Sequence, residues 1–167
     1  MRKVLSTTLV LVVLIIFVVS CSDFGLSRFD HDNLELVGIG MAGIIFANQA
    51  IGMYAAEPDL VNDMITLNEG EFVTEATFSN FDFEKAFNRI GAENWDDDWD
   101  DFYDFNVVIQ RGSYKEDSRT DTMTIDITFK VTGGDFPGTY QVVGSISETK
   151  QTLKVNGRNV DLTGFSN

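Results

Sequence analysis

The sequence predicts an α+β fold in which helices of the N-terminal half pack on a C-terminal antiparallel β-meander. Two observations carry this prediction. Residues 34–56 form a long apolar stretch that ends just before Pro58, as a helix does. Residues 122–131 alternate between polar and apolar side chains, which is the period of a half-buried strand. A β-sandwich or a small barrel is the alternative arrangement.

The helices are predicted from their start and stop signals. Asp32 or Asn33 is a plausible N-cap for the long helix from Leu34 to Ala56. A short helix is predicted from Pro58 to Ile65, because proline suits the first turn of a helix. Asp82 is placed to cap a third helix. The apolar face of that helix and the glycine that ends it are Phe83, Ala86, Phe87, Ile90 and Gly91.

Short alternating segments predict the sheet. Asn156-Gly157 is a strong hairpin signal, because both central positions of a type I′ turn need a positive φ. A glycine-rich turn is predicted at 133–138. Together with this hairpin, the predicted strands give a meander of about five strands. Besides the hairpin, these strands are 105–109, 122–131 and 140–146, and residues 71–78 are predicted as a further strand in the first half of the chain.

Residues 1–20 have the layout of a secretory signal. Arg2 and Lys3 precede an apolar stretch from Val4 to Val19. The basic end stays with the anionic cytoplasmic leaflet while the apolar segment enters the bilayer. The stretch is short for a membrane span, which needs about 20 apolar residues.

The end of this signal resembles the lipobox of bacterial lipoproteins. Val18-Val19-Ser20-Cys21 matches its pattern of an aliphatic residue, two small or aliphatic residues and a cysteine, and the resemblance covers residues 1–21. It implies cleavage before Cys21 and acyl chains, such as palmitate, on that residue. Several chains at about 0.8 kcal/mol per buried methylene make the attachment stable. An uncleaved anchor, or an ordinary signal peptide with an incidental cysteine, is the alternative.

The lone cysteine also bears on location and domain organisation. Cys21 is the only cysteine in the chain, which excludes a disulfide framework. The resemblance implies a lipid anchor on the non-cytoplasmic side of the cell envelope. Serine at position 22 favours the outer membrane if the cell is Gram-negative. We therefore expect a signal peptide at 1–20, a lipidated cysteine and tether at 21–33, and a single acidic domain at 34–167.

The mature chain is strongly acidic. Loss of residues 1–20 removes Arg2 and Lys3 but no acid, so the formal charge changes from −14 to −16. This charge repels phosphate backbones and anionic headgroups, so no nucleic acid partner is expected, and cations or basic proteins fit better. The hydrophobic content of 44%, with 14 phenylalanines, indicates a folded domain with a core.

The helix 34–56 is a candidate contact surface. Its Gly43-x-x-x-Ala47 spacing lets a neighbouring backbone approach closely. This small side is expected to pack inside the domain, and a protein partner or self-association is the alternative. Membrane contact is a third possibility, which Asn48 and Gln49 oppose because they would be costly in hydrocarbon without partners.

An acidic cluster is the most distinctive local feature. Trp95, Trp99 and Phe102 recur at helical spacing, which favours a short amphipathic helix or loop with a solvated acidic face. Calcium binding is the alternative, because carboxylate oxygens suit that ion, although the spacing is not that of an EF-hand. No other cofactor is indicated. The candidate metal ligands are Asp96, Asp97, Asp98, Asp100, Asp101 and Asp104.

The sequence gives little support for an enzyme. His31 is the only histidine, and it lies in the expected tether, so neither an imidazole-activated nucleophile nor a histidine-rich zinc site is predicted. Gly38-x-Gly40-x-x-Gly43 matches the dinucleotide pattern but follows no strand. We expect a binding or structural-interaction module. A hydrolase that uses carboxylates alone is the less favoured alternative.

Overall fold

The computed structural model describes residues 31–91, 105–134 and 136–162. They form one long helix, two short helices and a seven-stranded antiparallel sheet. Residues from Leu36 onward belong to one compact unit. The helices are α1 (His31–Ala56), α2 (Pro58–Val61) and α3 (Phe83–Ile90). The strands are β1 (Ile65–Glu69), β2 (Val73–Asp82), β3 (Phe105–Asp117), β4 (Thr122–Gly133), β5 (Gly138–Ile146), β6 (Gln151–Val155) and β7 (Arg158–Asn159).

The sheet is an open meander. Its strands lie side by side in chain order from β1 to β7, and each neighbouring pair is antiparallel. The predicted α+β class with a C-terminal β-meander is therefore confirmed. The short helix predicted from Pro58 to Ile65 ends at Val61, and Ile65 begins β1 instead. Pairing with β2 explains the difference, because sheet contacts override a weak local preference.

α1 packs on the inner face of the sheet through its smallest residues. A Cβ added to Gly43 would lie 3.1 Å from Cε1 of Phe129 and 3.0 Å from Cγ2 of Val142. Ala47 and Ala50 are completely buried. The helix backbone thus comes as close to the strands as side chains allow. The core between helix and sheet holds most of the buried apolar residues.

Aromatic rings join α1 to β4 and to the first residue of α3. The ring of Phe46 meets that of Phe129 edge-on, with centroids 5.5 Å apart, and lies 5.9 Å from that of Phe83. Phe83 packs against Phe81 at 5.0 Å, and Phe129 against Tyr140 at 5.6 Å. Edge-to-face pairs add about 0.5–1.5 kcal/mol to the free energy gained from burial alone.

The local start and stop signals are confirmed at α3 and at the last hairpin. The Asp82 side chain accepts a 3.1 Å hydrogen bond from the Lys85 backbone N–H. Gly91 ends the helix with a φ of 83°. In the β6–β7 turn, Asn156 and Gly157 have φ values of 50° and 78°, as a type I′ turn requires.

Irregularities in β2 and β3 bring extra side chains to the inner face. Phe78 and Phe81 are both buried although they are three residues apart, and Asn80 between them has a φ of 52°. Opposite this point, the pairing of β3 with β4 shifts register between Ile109 and Arg111. Such bulges re-aim side chains and bend the strand.

We predict that Gly112→Ala destabilises the domain by about 3 kcal/mol, because it adds backbone strain and overpacking together. Gly112 has a φ of 136°, and an added Cβ would overlap the backbone of Asp126 and Ile127 in β4. Urea unfolding followed by circular dichroism measures the change.

Gly52→Ala is the matched control. Gly52 lies within α1, and an added Cβ would meet nothing within 4 Å. Alanine there should stabilise the domain by about 0.5–1 kcal/mol, because glycine loses more conformational entropy in a helix. If Gly112→Ala and Gly52→Ala unfold at the same urea concentration, the close contact of Gly112 with β4 does not contribute to stability as described.

Candidate functional site

The residues singled out by the sequence for lipidation and for metal binding lie outside the described residues. They are Val18, Val19, Ser20, Cys21, Asp96, Asp97, Asp98, Asp100, Asp101 and Asp104. The acidic cluster belongs to the segment between α3 and β3. The structure describes the rest of the domain, including α1 with its Gly43-x-x-x-Ala47 spacing.

The two sides of α1 have different environments. Gly43 and Ala47 lie against the sheet, so their spacing serves packing within the domain. On the opposite side, an added Cβ at Gly38 or Gly52 would meet nothing within 4 Å, and Ile45 is half-buried. No charged residue occurs in α1 from position 37 to 56. A partner that contacts α1 would therefore meet a smooth, uncharged surface.

α1 also has the length and apolar composition of a membrane-spanning helix. Among the described residues, Asp32–Ala56 is the one segment that meets this test. The same test is passed by core helices, and α1 is seated on the sheet through Gly40, Gly43 and Ala47. Burial in the core thus accounts for the apolar residues on one side of α1, and 33% of its most apolar window is buried.

A polar contact lies beneath α1 at β3. Tyr114 is 4% exposed, and its hydroxyl donates a 3.5 Å hydrogen bond to Oε2 of Glu116. Asn48 of α1 donates a 3.1 Å hydrogen bond to the Ile44 carbonyl, and its amide acts on the pKa of Tyr114 in the opposite direction to burial. Burial raises the pKa of Tyr114 above its ordinary value, so the phenol stays protonated at neutral pH. This group is suited to positioning α1 rather than to proton abstraction.

An exposed ion pair joins the turn after α2 to α3. Arg89 donates to both carboxylate oxygens of Asp63, with Nη2–Oδ2 at 3.0 Å, and its Nη1 also donates to the Leu60 carbonyl at 2.8 Å. Lys85 lies 3.6 Å from the same carboxylate. The hydrogen bonds from Arg89 lower the pKa of Asp63 to about 2. The arrangement holds two helices together.

These shifts do not favour carboxylate catalysis. The pKa of Asp117 is also lowered, because the Arg119 side chain donates to it at 3.2 and 3.1 Å. A general acid needs the opposite shift, a raised pKa that keeps the proton near neutral pH. Asp63 and Asp117 are therefore poor candidates for the acid of a hydrolase.

One buried oxygen stands close to the acidic segment in the chain. Asn106, two residues after Asp104, donates a 3.4 Å hydrogen bond to Asp82, but its amide oxygen is buried without a hydrogen-bond partner in the described part of the chain. An amide oxygen is a ligand type that calcium accepts. Over residues 31–91, 105–134 and 136–162, no group of three or more His, Cys, Asp or Glu residues is arranged to hold a metal ion.

Sequence reasoning found some of these contacts in part and missed others. It noted that Asn48 would be costly in hydrocarbon without a partner, and in the structure the Asn48 amide donates to the Ile44 carbonyl. It missed the pair of Asp63 and Arg89, which are 26 residues apart, because no local pattern links them. No protein-family model matches the chain, and neither a curated protein nor a solved structure matches it.

We predict that Asp63→Asn lowers the melting temperature at pH 7 by no more than a few degrees, since exposed ion pairs contribute little. Because the pKa of Asp63 falls on folding from 3.8 to about 2, its contribution is present above pH 3.8 and is lost as the pH falls towards 2. Thermal melts from pH 7 to pH 2 should show the difference from wild type closing over that range.

Glu57→Gln is the control for this measurement. Glu57 precedes α2, and its side chain makes no capping hydrogen bond. Its melting temperature should follow that of the wild type at every pH. If the melting temperatures of Asp63→Asn and wild type differ as much at pH 2 as at pH 7, the ion pair is not the source of the difference.

Proposed function

We propose that this chain is a bacterial lipoprotein precursor whose acidic domain acts as a binding or interaction module at the cell envelope. The observation that carries the proposal is the position of the only cysteine, Cys21, at the end of an apolar signal and directly after Val18-Val19-Ser20. A single cysteine placed at random among 167 residues would rarely fall directly after such a signal.

The architecture supports a displayed module. A compact unit begins at Leu36, a short distance along the chain from Cys21. An anchor at that distance would keep the domain at the bilayer without requiring a membrane-spanning helix. On this proposal, the domain lies on the non-cytoplasmic side, and Ser22 directs it to the outer membrane in a Gram-negative cell. A protein partner or a second copy that contacts α1 would use its outward side, at Gly38 and Gly52.

We predict that Cys21→Ser moves the protein out of the membrane-bound, lipid-modified pool. Serine lacks the thiol that accepts diacylglycerol, so the precursor is not processed at this position and carries no lipid. Extraction with a phase-separating detergent and mass spectrometry of the N-terminus measure the change. Wild type should partition with detergent and carry an acylated Cys21.

Ser22→Ala is the control, because it changes a neighbouring hydroxyl and keeps the thiol. It should partition like the wild type. A Cys21→Ser variant that has the same mature N-terminus and the same detergent partition as the wild type would overturn the lipoprotein proposal.

A second candidate function is calcium binding by the acidic cluster. It is favoured by the buried Asn106 oxygen that lacks a hydrogen-bond partner among the described residues, two positions after Asp104. Asp96, Asp97 and Asp98 with their neighbours would supply the charged oxygens, and Asn106 a neutral one. The ligand of the module would then be a divalent cation, or a partner that the bound cation bridges.

We predict a saturable heat on calorimetric titration of the protein with calcium, which is abolished when the six aspartates are replaced by asparagine. Asn106→Leu should weaken binding by about tenfold, the size expected when a supporting group of a metal site is lost. Asp121→Asn, in the β3–β4 turn, is the control and should bind as wild type does. Absence of heat and of any thermal shift in the wild type would exclude calcium binding.

A further inference from the structure

β1 forms one edge of the sheet, with β2 on one side and no described strand on the other. Edge strands in natural sheets are usually protected by lysine, proline, a bulge or shortness. β1 has five residues, Ile-Thr-Leu-Asn-Glu, which include neither lysine nor proline, and its register with β2 is continuous. The opposite edge, β7, has only two residues. Within the described sheet, β1 is therefore the edge that is long enough to accept another strand.

Hydrogen bonds at the two ends of β1 show which of its backbone groups point away from β2. Before the strand, the Ser79 N–H donates to the Met64 carbonyl at 2.9 Å, and after it the Gly70 N–H donates to the Val73 carbonyl at 2.7 Å. Bonded pairs alternate along antiparallel strands, so the even-numbered residues of β1 bond to β2. The odd-numbered residues direct their N–H and C=O groups outward. They are Ile65, Leu67 and Glu69.

These outward backbone groups have no other partner in the described part of the chain. Outside the pairing of β1 with β2, none of the three odd-numbered residues forms a hydrogen bond to a described residue. The edge thus presents three N–H donors and three C=O acceptors in the spacing of an antiparallel ladder. An added strand can bond to all six groups without disturbing the existing pairs.

An apolar row of the core also reaches this edge. The row that contains Leu67 continues through Ala76, Tyr114 and Ile125 on the next three strands, and these three residues are buried. Leu67 itself is only half-buried, although its strand neighbour Ile65 is buried. An apolar side chain on an added strand would cover the open side of Leu67 and extend the row by one position.

The chain around this edge is acidic. Residues 57–84 contain eight aspartates and glutamates and no lysine, arginine or histidine. Asp63 is compensated by Arg89 of α3. Arg119 also approaches this region, with its guanidinium carbon 5.6 Å from the centre of the Phe72 ring, but it is paired with Asp117.

Two glutamates at the end of β1 remain uncompensated. Neither Glu69 nor Glu71 forms an ion pair with a described residue. Glu69 lies in the same row across the sheet as Glu116 of β3. Lys115 is the cross-strand partner of Glu75, so it belongs to the next row and the opposite face. A base on an added strand would therefore meet an unpaired carboxylate at Glu69.

We propose that the β1 edge binds an extended, basic segment of a partner protein, which joins the sheet as an antiparallel strand. The backbone ladder supplies affinity, and side chains at alternate positions supply specificity. The segment carries an apolar residue opposite Leu67 and a lysine or arginine opposite Glu69. The inference rests on the proposed function, because it gives the interaction module a surface and a class of partner.

Charge favours such a segment over a second copy of this chain. Neighbouring strands lie about 4.8 Å apart, which is less than the Debye length of about 8 Å at physiological ionic strength. Two copies joined through β1 would bring their acidic 57–84 ranges together without effective screening, and like charges across a strand pair are destabilising. A basic strand gains from the same proximity.

The test uses the whole protein in nonionic detergent and the fluorophore-labelled peptide Lys-Ser-Lys-Thr-Val-Thr-Val-Ser. In the antiparallel register, its fifth residue, valine, lies opposite Leu67 and its third, lysine, opposite Glu69. One control peptide carries an N-methyl group on the fifth residue, which removes a backbone donor and keeps the charge. In the other, glutamate replaces both lysines. Fluorescence anisotropy measures binding.

The peptide should bind saturably and more weakly in about 1 M salt, where the Debye length is about 3 Å. The N-methyl peptide should bind about tenfold more weakly or worse, and the glutamate peptide should not bind. Glu69→Gln with Glu71→Gln should weaken binding about fivefold. Asp126→Asn with Glu148→Gln makes the same charge change three strands or more from β1, about 14 Å, and should bind as wild type does.

Amide hydrogen exchange followed by NMR locates the contact. In the free protein, the amides of Ile65, Leu67 and Glu69 should exchange faster than those of Thr66 and Asn68, which bond to β2. Saturating peptide should slow the exchange of the first three and leave the other two unchanged. Leu67→Pro removes one outward N–H and keeps the bonds to β2, so a folded variant, verified by circular dichroism, should lose the peptide.

Several results overturn the inference: equal affinity for the N-methyl peptide, unchanged affinity in Glu69→Gln with Glu71→Gln, or protection of amides away from β1. Sedimentation of the free protein as a dimer in which the same amides are protected overturns it in favour of a second copy. None of these results bears on the lipid anchor, which Cys21→Ser tests separately. Their failure pattern therefore distinguishes the β1 edge from the proposed lipoprotein.

Discussion

The close approach of α1 to the sheet is the contact on which the rest of the domain depends. Gly40, Gly43, Ala47 and Ala50 form the side of the helix that meets the strands. Because they have little or no side chain, rings such as Phe129 reach the helix backbone and fill the space. Each fully buried phenylalanine or leucine contributes about 1.5–3 kcal/mol, and much of that burial requires α1 to stay in place.

The parts of the fold that could be predicted are those whose signals are local. Asp82 and Gly91 mark the ends of α3, and Asn156-Gly157 marks a hairpin, because each needs a particular residue at a particular φ or cap position. β1 could not be predicted, since its five residues become a strand only by pairing with β2. The positive φ of Asn80 could not be predicted either, because it lies opposite a register shift in β3, about thirty residues later in the chain.

The candidate sites were predictable to different degrees for the same reason. The pattern before Cys21 that resembles a lipobox is contiguous, and the acidic cluster is visible in composition alone. The neighbours of a strand residue across the sheet are not visible there, because they depend on the register of the pairing. A total charge does not show that Lys115 of β3 is the cross-strand partner of Glu75 of β2.

The same alternation separates the core from the exposed surface of the sheet in this domain. Lys154 stands between Leu153 and Val155, which are buried, so one strand serves the core with every second residue and the surface with the others. A substitution at Lys154 leaves the packing of its two neighbours intact. The side of the sheet away from α1 can therefore change its charge without cost to the core, whereas the side that faces α1 is constrained by that contact. In this architecture, the sequence is free to vary on the side of the sheet that the helix does not cover.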